Sequence, residues 1–354
     1  MNPADFLTEI VKIYSPSGRE DEVAKFIATE AQQLGFAKAE VDHFNNVVLE
    51  IGSGKKTILL LGHIDTVRPF LSVRVRDGKL FGRGSVDAKG PFATMVFAAL
   101  AAAPQLKNCK IVVAGASQEE EHGVGGRVLA DRFKKPDAIV IGEPSGFEGI
   151  TLGYKGTFTM EFFKRKNPLH SANDSAKNAI EEGIDFTQKI KNYCDKFNEG
   201  KSIWAGLQQR VEKFVFDEVN GVEQVKVRVK FRTPMGFDPT ELKKLVGKNS
   251  NGGEVSYLQS WGSEVACLSS KNSALVKAFL KAIRAEGGTP VFKVKTGTAD
   301  MNTFAKAFPQ VPIVSYGPGD SNLDHTPVEH IELAEFEKAI AVLAKVLIEL
   351  DGKI

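Results

Sequence analysis

Apolar positions in the first 150 or so residues alternate between helical and strand-like spacing. Asp5 to Tyr14 and Glu20 to Leu34 read as helices, the second with Glu, Lys and Gln on its polar side. AEVDHFNNVVLEI reads as two strands around an Asn-Asn turn, and LSVRVRDGKLF alternates with period two around Asp77-Gly78, a hairpin signal. TILLLGHIDTV holds the short continuous apolar run of a buried parallel strand. An alanine-rich helix follows over Lys89 to Ala103, with Pro91 in its first turn, where a missing N–H costs least. KIVVAGAS, GGRVLADRF and DAIVIGEP then read as strand, helix and strand. The expectation is an α/β fold with a doubly wound, mainly parallel sheet, whose site lies in the loops at the carboxyl ends of its strands.

The rhythm changes beyond Lys155. GTFTMEFFKRK reads as a strand, Asp174 to Phe197 as a long helix, Gln208 to Phe216 and Gln224 to Arg232 as strands, Pro239 to Val246 as a helix and GEVSYLQS as a strand. This β-α-β-β-α-β order is ferredoxin-like. From Ala266 the α/β pattern resumes, with helices over Asn272 to Glu286 and Leu333 to Leu350 and strands in PVFKVKT and VPIVSYG. Residues 156–265 are therefore expected to form an inserted α+β domain within a catalytic domain made of 1–155 and 266–354. A length of 354 residues fits two domains.

Composition narrows the class. With 42% hydrophobic residues, 25% charged residues and a formal net charge of +2, the chain is neither disordered nor a general nucleic-acid binder. Cys109, Cys194 and Cys267 are widely spaced and form no CxxC pair, which argues against a disulfide framework or zinc knuckle and fits a reducing cytoplasm. The segment MNPADFLTEIVKIY lacks the basic region and small-residue cleavage site of an export signal. The most apolar segment, from Met95 to Pro104, is far shorter than the roughly 20 residues needed to cross a bilayer, so no membrane association is expected.

Polar residues punctuate the expected strand ends: His63 and Asp65, Asp87, Glu119 to Glu121, Glu143 and His325. Taken singly, each has an ordinary explanation as a packed histidine, a helix cap, a solvated acidic run or a turn residue. Together, two histidines and several carboxylates around one α/β domain form a mixed N/O set suited to zinc or a similar divalent ion, with enough ligands for two.

LGHIDTV, GRGSVDAKGP, EEEHG, IGEP and LDHTPVE, in this order, closely resemble the dinuclear zinc amidohydrolases and exopeptidases that include acetylornithine deacetylase, succinyl-diaminopimelate desuccinylase, aminoacylase and glutamate carboxypeptidase. The resemblance covers essentially the whole chain. It implies two divalent ions, zinc or cobalt, with His63 and Glu143 on one, Asp87 bridging, and His325 with one glutamate of the triple on the other. Asp65 would orient His63 through its second ring nitrogen. An E-E-x-G register makes Glu120 the general base and Glu121 the ligand; the alternative register makes Glu119 the base and Glu120 the ligand. His170 in LHSAND matches the family's oxyanion-binding histidine, supplied across a dimer interface, so a homodimer with a lid or dimerisation domain is implied.

Arg232 matches the arginine that meets a substrate carboxylate, Asn220 a substrate-contacting asparagine, and Thr298 and Asp300 are further expected contacts. KTGTADMN and YGPGDSN look most like the branch that releases lysine or ornithine from the terminal glutamate of a small acidic amino-group carrier protein, in lysine and arginine biosynthesis. Asp300 or Asp320 would then neutralise the distal ammonium, and Lys164-Arg165-Lys166 would steer the acidic carrier. The alternatives are a deacylase for small N-acyl amino acids such as N-acetylornithine, a dipeptidase, or a catalytically silent binding relative.

Overall fold

The computed structural model describes residues 1–167, 177–248, 254–256 and 264–354, with backbone alone at 248 and 254–256. Two units result: Met1–Gly153 with Leu268–Val294 and Ala299–Ile354, and Tyr154–Cys267 with Lys295–Thr298. The short Lys295–Thr298 segment, expected in the first domain, groups with the second. Lys155 N donates to Lys295 O at 3.1 Å, and Arg232 Nη1 to Thr298 Oγ1 at 2.7 Å.

The first unit is built on a nine-stranded sheet. At its centre Cys109–Ala116, Lys56–His63, Ala138–Gly142 and Ile313–Ser315 lie side by side and parallel. Antiparallel strands flank this centre, Val47–Ile51 and Lys38–Val41 on one side and Gly149–Tyr154 on the other. The sheet is thus mixed rather than mainly parallel. Lys38–Val41 and Val47–Ile51 are joined by a short turn with Asn45 at φ 66°, and a link that short admits only antiparallel pairing. The LSVRVRDGKLF hairpin leaves this sheet and pairs with His330–Glu332 instead.

Lys89–Ala102 is buried along nearly its whole length and packs on the central strands and on helices Pro3–Lys12 and Leu333–Asp351. That setting explains why its sequence is apolar on every side. Contact with the sheet is close: a Cβ at Gly62 would lie 3.3 Å from Phe92 Cβ. Among the described residues, no helix is long and apolar enough to cross a membrane.

In the second unit a four-stranded antiparallel sheet runs Gln208–Val219, Val222–Thr233, Gly156–Lys166, Glu254–Ser256, the spatial order of a ferredoxin-like βαββαβ unit. Helix Ala179–Asn198 starts at a capping box of Asn178 and Glu181, later than the expected Asp174; residues 174–176 lie outside those described. Val225, Val227, Val229 and Phe231 are buried in the core, while the alternate residues Lys226, Arg228, Lys230 and Arg232 point the other way. Asn220 sits with Gly221 at the tip of the hairpin, at φ 53°, a conformation that favours asparagine by itself. It lies at the opposite end of the strand pair from Arg232.

Lys164-Arg165-Lys166, expected to steer an acidic carrier, close the strand Gly156–Lys166, in line with the strand expected for GTFTMEFFKRK. Alternation buries Lys164 opposite Val225, Arg165 lies over the Phe163 ring, and Lys166 pairs with Glu182 at 3.4 Å. Of the three, Arg165 is exposed and Lys166 part-exposed.

Candidate metal centre

The parallel register creates the site. His63 ends its strand opposite Ala116, and Gly62 lies opposite Gly142, so His63, the Ser117–Glu121 loop and Glu143 share one rim. These are carboxyl ends of neighbouring parallel strands. Asp87 lies in the turn before Lys89–Ala102, and the His325 loop precedes the short strand His330–Glu332.

Two ligand sets converge, His63 with Asp87 and Glu143, and Asp87 with Glu120 and His325; within each, one ligand atom per residue lies within 4.8 Å of the others. Asp87 belongs to both. His63 Nε2 is 3.2 Å from one Asp87 oxygen, and His325 Nε2 is 3.0 Å from the other and 3.0 Å from Glu120 Oε1. Imidazole nitrogens and carboxylate oxygens sharing one bridging carboxylate fit two zinc-like ions.

Geometry corrects the register of the glutamates. Glu121, expected as a ligand, is exposed, whereas Glu120 converges with Asp87 and His325. The loop turns immediately after the strand at Gln118, whose φ is 56°, and Gln118 O accepts from the N–H groups of both His122 and Gly123. This tight turn directs the first two acids inward and the third outward. Glu119, the base of the alternative register, interacts electrostatically with His63, Glu143, Asp300 and Glu120.

Asp65 is fully buried and serves both sides of the centre. Its backbone oxygen is 3.0 Å from His63 Nδ1, closer than its carboxylate at 3.4 Å. A proton on Nδ1 leaves Nε2 free to bind metal. Meanwhile the carboxylate accepts from Ser17 Oγ at 2.6 Å and from the N–H groups of Glu119 and Glu120 at 3.1 and 3.2 Å.

Glu329 was missed from the sequence, although it closes the LDHTPVE motif. It is buried, accepts from Arg83 Nη1 at 2.6 Å, and takes the N–H groups of Gly84, Val86 and Asp87 at 2.9, 3.0 and 3.2 Å. One carboxylate thus ties the segment carrying Asp87 to the segment carrying His325. Removing one partner of such a buried pair typically costs about 3–5 kcal/mol.

Charge in the site follows from this crowding. Burial opposes protonation of His63, but its bonds to Asp65 and Asp87 win and raise its pKa well above the ordinary value. His325 is pushed up to about 10 by hydrogen bonds to Asp87 and Glu120. Asp87 is held below the ordinary carboxylate value despite burial, by its bonds to His325 and His63. Glu119 rises well above the ordinary value through burial; His63 pulls it down, but Glu143, Asp300 and Glu120 add to the rise.

Of the expected substrate contacts, Asp300 is buried at the start of helix Asp300–Ala307 in the first unit, and a Cβ at Gly126 would fall 2.0 Å from its Oδ1. Arg232 and Thr298 are bonded to each other in the second unit. Asp320 spends its carboxylate capping the turn at Asn322. His170 lies outside the described residues.

The family model described as Peptidase family M20/M25/M40 matches residues 59–349. A LysW-lysine hydrolase from Deinococcus radiodurans is 38% identical over 98% of this chain and 97% of its own length. A LysW-lysine/LysW-ornithine hydrolase from Sulfurisphaera tokodaii is 29% identical, over 98% of this chain and 95% of its own. Among solved structures, a tripeptidase from Staphylococcus aureus shares the fold at a TM-score of 0.81 and 18% identity, over 99% of this chain and 98% of that one. With the match spanning the strands, loops and motifs that assemble the centre, the chain belongs to peptidase family M20/M25/M40.

Proposed function

We propose that this protein is a metal-dependent amide hydrolase that releases lysine, ornithine or both from the carrier protein LysW. The carrying observation is the 38% identity to a LysW-lysine hydrolase over nearly the full length of both chains. The converging ligand sets support the metal-dependent part of the reading.

In this reading His63, Asp87 and Glu143 would hold one ion, and Asp87, Glu120 and His325 would hold the other. Zinc or cobalt bound there supplies a water of lowered pKa and polarises the scissile carbonyl. Glu119 is the general base. It takes the proton of the attacking water as the new C–O bond forms, and delivers it to the leaving α-amine as the C–N bond breaks. A carboxyl that lies beside the ligand sets without belonging to either suits both halves of that transfer. Asp65 fixes the tautomer of His63. Arg232 with Thr298, and Asp300, remain the proposed substrate contacts, without Asn220, and His170 the proposed oxyanion donor from the partner of a homodimer.

The test is a mass-spectrometric activity panel with zinc or cobalt supplied: LysW-lysine, LysW-ornithine and N-acetylornithine. Turnover of a LysW-linked substrate far above that of N-acetylornithine is expected. The reverse preference would move the protein to the small N-acyl-amino-acid deacylases.

A further inference from the structure

Four consecutive backbone N–H groups, from Ser117 to Glu120, bond to side chains from elsewhere in the chain. Ser117 N donates to Asn46 Oδ1 at 2.9 Å and Gln118 N to Glu20 Oε1 at 3.1 Å, while Glu119 and Glu120 go to Asp65. A loop has no ladder or helix to satisfy its donors, and buried donors must find partners somewhere. Here they are met one by one by three acceptor residues. Asn46 and Asp65 belong to the turns after Val41 and His63; Glu20 comes from SPSGRE, 98 residues upstream of its partner.

Glu20 has no other evident task. It is fully buried just before helix Asp21–Leu34 yet makes no side-chain cap to that helix. Its Oε1 also accepts from Gly18 N at 2.8 Å, closing a turn in which Gly18 has φ 84°. Its Oε2 has no hydrogen-bond partner among the described residues. An acid is an expensive residue to bury for two neutral hydrogen bonds, and Asp65 adds a like charge beside it. What the arrangement secures is the torsion at Gln118, the left-handed residue that turns Glu119 and Glu120 inward.

We infer that Glu20 is a positioning residue for the hydrolytic reaction: by holding the Gln118 N–H it fixes the left-handed turn that aims Glu119 into the metal centre. This rests on the reading of Glu119 as general base. Losing Glu20 frees the Gln118 peptide and relaxes the turn that aims the Glu119 side chain, while Asp65 still holds the N–H groups of both Glu119 and Glu120 and so keeps Glu120 among the ligands. The defect therefore falls on proton transfer rather than on substrate binding.

The experiment compares Glu20→Met, Glu20→Asp and Glu20→Gln in the zinc-loaded enzyme. Met fills the space without an acceptor, Asp is a methylene too short, and Gln keeps the accepting oxygen while removing the like charge facing Asp65. For the first two, kcat on LysW-lysine is expected to fall about 10- to 100-fold with KM unchanged and two ions retained, as for other supporting partners of metal sites. Glu20→Gln is expected to stay near wild type. Hydrogen–deuterium exchange of the peptide covering 117–120 reads the same geometry without activity, and should quicken in Glu20→Met and Glu20→Asp only. If Glu20→Met does not fold, Glu20→Asp decides. Wild-type kcat and exchange in the substituted enzymes, a loss confined to KM, or equal losses in Gln and Met would overturn the inference. An inactive wild-type enzyme with two ions bound would refute the proposed function, leaving the exchange data to judge Glu20.

Discussion

The two halves of the metal centre share Asp87 and differ in almost everything else. His63 is 2% exposed, ends a central strand, and has Asp65 behind its second nitrogen. His325 is 50% exposed and sits in a loop at φ 63°. One half is built into the sheet, while the other adds two loop residues, Glu120 and His325, to Asp87, with Glu329 tying the His325 segment to the Asp87 segment. The expectation is that the buried, preorganised first half binds its ion tightly and exchanges it slowly, and that the exposed second half gains and loses its ion more readily. The difference teaches that a shared bridging carboxylate does not make two equivalent sites.

Substitution at the shared residue has the largest expected effect. Asp87→Ala should abolish both binding steps, and metal analysis after dialysis should find neither ion and no turnover. Retention of one tightly bound ion would show that His63 and Glu143 suffice alone. Next come the unshared ligands. His325→Ala should keep one ion through chelator treatment that strips the other from wild type, whereas His63→Ala should lose the resistant ion. Equal resistance in the two variants would erase the contrast.

A smaller effect is the pH dependence of loading. His325 is raised from an ordinary value near 6.5 to about 10, so the folded protein holds this proton more tightly than the unfolded chain does. Its contribution to the stability of the metal-free protein is full below about pH 6.5 and is lost as pH rises through about 10. An ion must displace that proton, so zinc affinity of the second half should climb with pH across this window, with proton release on titration. Calorimetry in buffers of different ionisation enthalpy measures the release, and pH-independent binding would contradict the ligand role of His325.

Much of this was legible in the sequence because each feature had a local cause. ILLLG, IVVAGA and AIVIG are short, apolar and bounded by polar residues, and they form the parallel centre. His63 and Glu143 could be picked out because they close or follow strands, Asp87 because it precedes a helix, and His325 through the LDHTPVE motif in its loop. Gly149–Tyr154 was missed because glycines interrupt a short antiparallel strand, and Asp300–Ala307 because its first turn reads as loop. The motif left two registers open for the three glutamates, and the geometry favours the one with Glu120 as ligand. The choice turns on the left-handed Gln118, whose N–H is bonded to Glu20, 98 positions earlier in the chain.

That register is the central claim, and metal content measured alongside kcat for Glu119→Gln, Glu120→Gln and Glu121→Gln tests it most directly. Glu119→Gln should keep two ions and lose about 10²- to 10⁴-fold in kcat. Glu120→Gln should lose the exchangeable ion. Glu121→Gln, at an exposed position, should shift stability by less than about 0.5 kcal/mol and leave turnover and metal content as in wild type. Full activity in Glu119→Gln, or loss of metal in Glu121→Gln, would contradict the assignment and return the ligand role to the third glutamate.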